Sequence, residues 1–122
     1  RKENWSAVES IFNTVKYEDK TVVGSLKTGR YFVHVSDIAK GIIMSIGQKG
    51  FEIINLEGND LITLGNVIDI GNRIVGKNVT IEEKTPEAVS VRRVSSKKAL
   101  MLINWRPEIE LSDGLKELNR IL

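Results

Sequence analysis

Few residues of this chain can do chemistry, and the first of them is Arg30. It stands directly before an apolar run, Tyr31 to Val35 (YFVHV), which holds the only histidine, His34. A cation in that place either serves an anion or is simply a solvated loop arginine. His34 could act in a nucleophilic triad only beside an activated serine. Inside an apolar strand it is instead expected to be packed and hydrogen-bonded. One histidine and no cysteine disfavour a transition-metal site. The sequence has no GxxxxGK[ST] loop and no GxGxxG after a strand. Gly47-Gln48-Lys49-Gly50 carries two glycines, but they read as a helix end. A Tyr-x-x-x-Lys pair, in which lysine lowers a tyrosine pKa for proton transfer, is missing too. The residue four positions after Tyr17 is Thr21, and after Tyr31 it is Val35. These residues alone make no catalytic machine, and no catalytic, metal or cofactor-binding residue is expected in this chain.

The elements that must position Arg30 and His34 alternate between helix and strand. Trp5, Val8, Ile11, Phe12 and Val15 recur at spacings of three and four, the mark of an amphipathic helix. Lys20 to Gly24 (KTVVG) is a short β-branched strand, and Ser25 to Gly29 a turn-rich loop. Tyr31 to Val35 reads as a strand. Ser36 or Asp37 can cap the helix that follows, with Ile38, Ala39, Ile42, Ile43 and Ile46 as its buried face and Gly47 and Gly50 at its end. Phe51 to Leu56 (FEIINL) reads as a strand, and Glu57 to Asp60 as a turn. Thr63 can cap a helix with Leu64, Val67, Ile68, Ile70 and Ile74 inward and Gly76 as its stop. Asn78 to Glu83 alternates as a strand does. Lys84 to Val94 is irregular. Ser95 or Ser96 opens a helix over Lys97 to Ile103, which Asn104-Trp105-Arg106-Pro107 breaks. Ser112 caps a last helix carrying Leu115, Leu118, Ile121 and Leu122. The order α-β-β-α-β-α-β-α-α predicts a small α/β domain of short strands and about five helices.

At 122 residues the chain suits one domain. Its net charge of +2, from 18 basic and 16 acidic residues, gives no electrostatic case for a nucleic-acid partner. No apolar run approaches the ~20 residues that span a bilayer, so no membrane partner is expected. The absence of cysteine fits a cytoplasmic origin. The chain opens at Arg1, already in what reads as the middle of something, and is expected to be part of a longer protein.

The stretch "GRYFVHVSDIAKGI", Gly29 to Ile42, resembles the R-D-[FY]-[IV]-[HY]-V-x-D-[LVI]-A segment of extended short-chain dehydrogenases, the NAD-dependent nucleotide-sugar epimerases and dehydratases. Two further segments are similar in the family's order. FEIINLEGNDLITLGNVIDIGNRIVGK resembles its x-Y-N-[LI]-G strand, turn and helix. PEAVSVRRVSSKKALMLINWRPEIELSDGLKEL resembles P-E-G-V-x-x-R followed by S-K-A, L-G-W-x-P and [ED]-G-[LI]. The resemblance runs from about Val22 to the C-terminus and concerns the family's C-terminal part, which forms most of the nucleotide-sugar site. It implies a Rossmann-type fold without its dinucleotide-binding half. NAD would belong to the full-length enzyme, with none held by this chain alone, which is expected to be inactive by itself.

The resemblance further implies that Arg30 contacts the diphosphate of a nucleotide sugar, a task suited to a guanidinium, which bonds phosphate oxygens in pairs. Arg92 takes the place of the P-E-G-V-x-x-R arginine and would reach the same phosphates; Arg93, one residue on, would replace it after a one-residue slip. Asn55 takes the place of the Y-N-[LI]-G asparagine and would give a turn or supporting hydrogen bond. Tyr31 stands where the family has aspartate, Glu57 and Asn104 where it has glycine, Ser95 where it has aspartate, and Thr85 near the arginine of R-P-G-D. The partners implied are a nucleotide-sugar substrate and an N-terminal Rossmann domain. The competing expectation is a non-catalytic interaction module, a homo-oligomer paired through an open strand edge at Ile53, Ile54 and Leu56.

Overall fold

The computed structural model describes residues 6–47, 55–58, 60–91 and 96–122. Among them the chain is α/β, with helices α1 (Ala7–Tyr17), α2 (Val35–Ser45), α3 (Leu64–Val75), α4 (Lys97–Ile103) and α5 (Leu111–Ile121). The strands are short: β1 (Lys20–Val23), β2 (Gly29–Arg30), β3 (Ile62–Thr63) and β4 (Thr80–Glu83). β1 and β4 pair in parallel, Lys20 opposite Thr80 and Val23 opposite Glu83. β2 and β3 pair antiparallel, Gly29 opposite Thr63 and Arg30 opposite Ile62.

The helices form where pattern and caps agree. The Ser6 hydroxyl accepts the Glu9 N–H, and the Glu9 carboxylate accepts the Ser6 N–H in return, a capping box that starts α1. Thr63 and Asn66 do the same for α3, which ends at Gly76 in the left-handed region, φ 70°. α3 lies between α1 and α5. Their facing sides bury Phe12, Val15, Val67, Ile68 and Leu115, and Val23 of β1 and Val79 join from the sheet side. Burying side chains of this size removes about 1.5–3 kcal/mol of hydrophobic exposure each, and this layer is the core.

Four expectations need correction. The run Tyr31–Val35 is not a strand. Among the described residues the β2–β3 ladder ends at Arg30, opposite Ile62, and Val35 is already helical. The apolar run instead serves packing, with Phe32 against the Phe12–Val67–Leu115 cluster. Next, neither Ser36 nor Asp37 caps α2. His34 does, its Nδ1 accepting the Ser36 N–H at 3.0 Å. Asp37 is fully buried, and its Oδ2 accepts the N–H groups of Glu108 and Ile109 at 3.0 and 2.9 Å.

That anchoring turns α2 round. Asp37 and Gly41 face inward, while Ala39, Ile42, Ile43 and Ile46, expected to be buried, are exposed; Ile43 and Ile46 show 67% and 76% of their surface. Finally, Ser112 lies inside α5 rather than capping it. Helix begins at Leu111, which packs on the same core cluster, and Glu110 is the cap residue.

Phe51 to Ile54 of the expected strand FEIINL lie outside the described residues, as do Trp5, Gly50 and Ser95. Asn55 and Leu56 are irregular. Leu56 is half-buried, and its methyls approach Gly41 of α2.

Candidate functional site

Arg30 is half-buried at the end of the β2–β3 ladder. The ladder is held by α3, whose first N–H groups, of Leu64 and Gly65, donate to the carbonyls of Thr28 and Leu26. A third segment joins from the irregular stretch after β4. Gly29 forms a parallel bridge with Val91, its N–H donating to Ser90 O at 3.0 Å. The Arg30 guanidinium donates to Gly29 O and Ser90 O, both at 2.8 Å, and to Ser90 Oγ at 3.1 Å.

A fourth segment meets the chain just after β2. The Gly58 N–H donates to Tyr31 O at 3.4 Å. Glu57 is tied to the start of α4, its N–H donating to Ser96 Oγ at 2.8 Å and its carbonyl accepting from that hydroxyl. A β-carbon on Gly58 would collide with the Phe32 carbonyl oxygen, so only glycine lets these backbones approach so closely. Gly58→Ala is expected to destabilise the protein by about 1–3 kcal/mol, as overpacking does, seen as a lower urea midpoint. An unchanged midpoint would mean that the loop is not pressed against Phe32.

Val91 and Gly58, the described ends of two of these segments, therefore come against Gly29 and Tyr31, the chain neighbours of Arg30. Asn55 is exposed on the 55–58 segment. The chain runs from Val91, bridged to Gly29, into Arg92 and Arg93, which lie outside the described residues. Ser90 and Thr28 were not singled out: a serine in an irregular stretch looks like any loop serine, and its nearness to Arg92 was the one available signal.

His34 is packed and hydrogen-bonded, as expected. Its Nδ1 is taken by the Ser36 backbone, its Nε2 lies 3.6 Å from Glu117, and its side chain is 18% exposed. The contact with Ser36 is through the backbone N–H rather than a hydroxyl, so it makes no nucleophile. No group of histidines and carboxylates able to hold a metal is found among the described residues, and no helix among them is long and apolar enough to cross a membrane. A cavity of about 740 Å³ lies between α3 and α5, and one of about 630 Å³ is lined by Phe32, His34 and α5. Neither includes Arg30. What Arg30 offers is a half-buried guanidinium fixed by two backbone carbonyls and the Ser90 hydroxyl, a group whose chemistry suits an oxyanion.

This partial α/β fold is that of Rossmann-type epimerases. UDP-glucose 4-epimerase from Thermotoga maritima, crystallised with UDP-glucose, matches 95% of this chain over 40% of its own, with a TM-score of 0.78 and 20% identity. UDP-glucuronic acid 4-epimerase from Bacillus cereus, in complex with NAD, matches 95% over 40%, with a TM-score of 0.74 and 22% identity. Among curated proteins, UDP-glucuronate 4-epimerase from Thermodesulfobacterium geofontis is 38% identical over 114 residues, 88% of this chain and 35% of that protein. No family model matches the chain. The chain belongs to the nucleotide-sugar epimerase and dehydratase family of extended short-chain dehydrogenases. It spans about a third of the length of the curated relatives it matches.

Proposed function

We propose that this chain is the nucleotide-sugar-binding part of an NAD-dependent epimerase or dehydratase. Arg30 holds the diphosphate, Arg92 (or Arg93 beside it) is the second cation, and Asn55 supports the site. The nicotinamide cofactor would exchange a hydride with the sugar from the half of the protein outside this chain. The residues here bind the nucleotide and orient the sugar, and orientation of that kind can lower a barrier by several kcal/mol. The observation that carries the reading is the bridge between Gly29 and Val91 beside Arg30, which brings together two segments far apart in sequence. The test is Arg30→Ala in the full-length protein. It is expected to raise the constant for the nucleotide sugar while leaving that for NAD in place, and equal effects on both would overturn the assignment.

The exposed stripe of α2, with Leu100, Met101 and Leu102 of the neighbouring α4, supports a large partner surface, since an apolar patch of this kind seldom faces water. On the leading reading the dinucleotide-binding half covers it. On a second reading it joins two copies, in a non-catalytic self-association module. Ile43→Asp in the full-length protein separates them. If the other half covers Ile43, the melting midpoint is expected to fall by more than about 5 °C. An unchanged midpoint, together with loss of a dimer on sedimentation, favours self-association.

A further inference from the structure

We infer that Ser90 is a positioning residue, which grips one edge of the Arg30 guanidinium so that another edge is presented to two oxygens of a diphosphate. The inference rests on the proposed role of Arg30. A guanidinium carries five N–H groups in one rigid plane. Nη1 spends both of its hydrogens, on Gly29 O and Ser90 O, and Nη2 spends one on Ser90 Oγ. Ser90 thus takes one hydrogen from each Nη with its two oxygens and fills the end of the fork. Among the described residues, the hydrogens that remain are on Nε and Nη2. They are parallel and share one side, the geometry that matches two oxygens of a phosphate. Had Ser90 taken the Nε side, no two-pronged edge would be left.

Ser90 is itself fixed. Its N–H donates to Thr28 Oγ1 at 3.2 Å, its carbonyl also accepts the Gly29 N–H, and Thr28 O accepts the Leu64 N–H at the start of α3. The grip therefore has a backbone frame behind it. A long, rotamer-rich side chain is ordered before any ligand arrives, so the entropy of ordering it does not weigh against binding.

The test is calorimetric titration of the full-length protein with uridine diphosphate, and separately with NAD, in Ser90→Ala, Ser90→Thr, Arg30→Ala and the Ser90→Ala/Arg30→Ala double variant. Ser90→Ala is expected to weaken uridine diphosphate about 3- to 10-fold without changing NAD affinity or the melting midpoint. Ser90→Thr, which keeps the hydroxyl, should restore binding. In the Arg30→Ala background the serine substitution should have no further effect, because the two act through one interaction. If Ser90→Ala is silent while Arg30→Ala weakens binding, or if its effect is the same with and without Arg30, the inference fails and the reading of Arg30 stands. If Arg30→Ala leaves uridine diphosphate affinity unchanged, both fall together.

Discussion

Trp105→Ala is expected to lower the stability of the protein by about 3–5 kcal/mol, the usual cost of emptying a buried aromatic site. Against a total of roughly 5–15 kcal/mol for a domain, that leaves the fold marginal. Trp105 is 2% exposed, follows α4 in the chain, and its Nε1–H donates to the Asp37 carbonyl at 2.7 Å. It lies against Gly41 of α2. Asp37 in turn takes the Glu108 and Ile109 N–H groups on one carboxylate oxygen. One residue of α2 therefore ties down both the tryptophan and the chain leading into α5. Loss of the ring opens the packing beside Asp37, whose Oδ1 has no hydrogen-bond partner among the described residues. Trp105→Phe separates the parts of this effect. It keeps most of the apolar volume and drops one donor, so its cost is expected to be nearer 1–3 kcal/mol, that of an unmade buried hydrogen bond. Urea unfolding followed by far-UV circular dichroism reads both variants. Equal midpoints for Trp105→Ala and the parent protein would mean that this corner carries no weight in the fold.

Asp37 also explains where the sequence stopped being legible. α1, α3, β1, β4 and α4 follow from local signals, namely periodicity, capping residues and β-branched runs, because in each of them the local preference and the tertiary packing agree. Thr63 was readable as a cap because its own side chain does the capping. Asp37 was not, since its partners are some seventy residues away in sequence, and a capping-type residue spent on a distant backbone leaves no local trace. The apolar stripe of α2 was readable as a stripe, but periodicity marks a face without saying what covers it. The β2–β3 ladder is two residues long, below what any propensity argument can resolve. At the candidate site, the positively charged member was visible in the sequence as an arginine before an apolar run. Its serine partner was not, because the contact is made by a loop whose position is set by the parallel bridge at Val91 and by Thr28.

Replacing Arg30 by alanine in the full-length protein is expected to weaken nucleotide-sugar binding about 100-fold. Hydrogen bonds to charged groups contribute about 1.5–3 kcal/mol each, and the Nε–Nη2 edge can give two. Water takes back part of this in the variant, so a net loss of about 3 kcal/mol is the fair figure, which is two decades in affinity. The backbone should survive the change. Ser90 O keeps the Gly29 N–H and the β2–β3 pairing does not pass through the side chain, so the melting midpoint is expected to shift little. Arg30→Lys tests the geometry rather than the charge. An ammonium keeps the attraction but cannot fill the Ser90 oxygens and a phosphate at once. Its affinity should therefore fall between the two, about 10-fold below the parent, and should weaken further as salt is raised, because a point charge without the fork is more easily screened. The constant for NAD serves as the internal control, since no residue of this chain is proposed to touch it. A substrate constant unchanged in Arg30→Ala would reduce Arg30 to a tie between β2 and the Ser90 loop, and the binding surface would then have to be sought elsewhere on the domain.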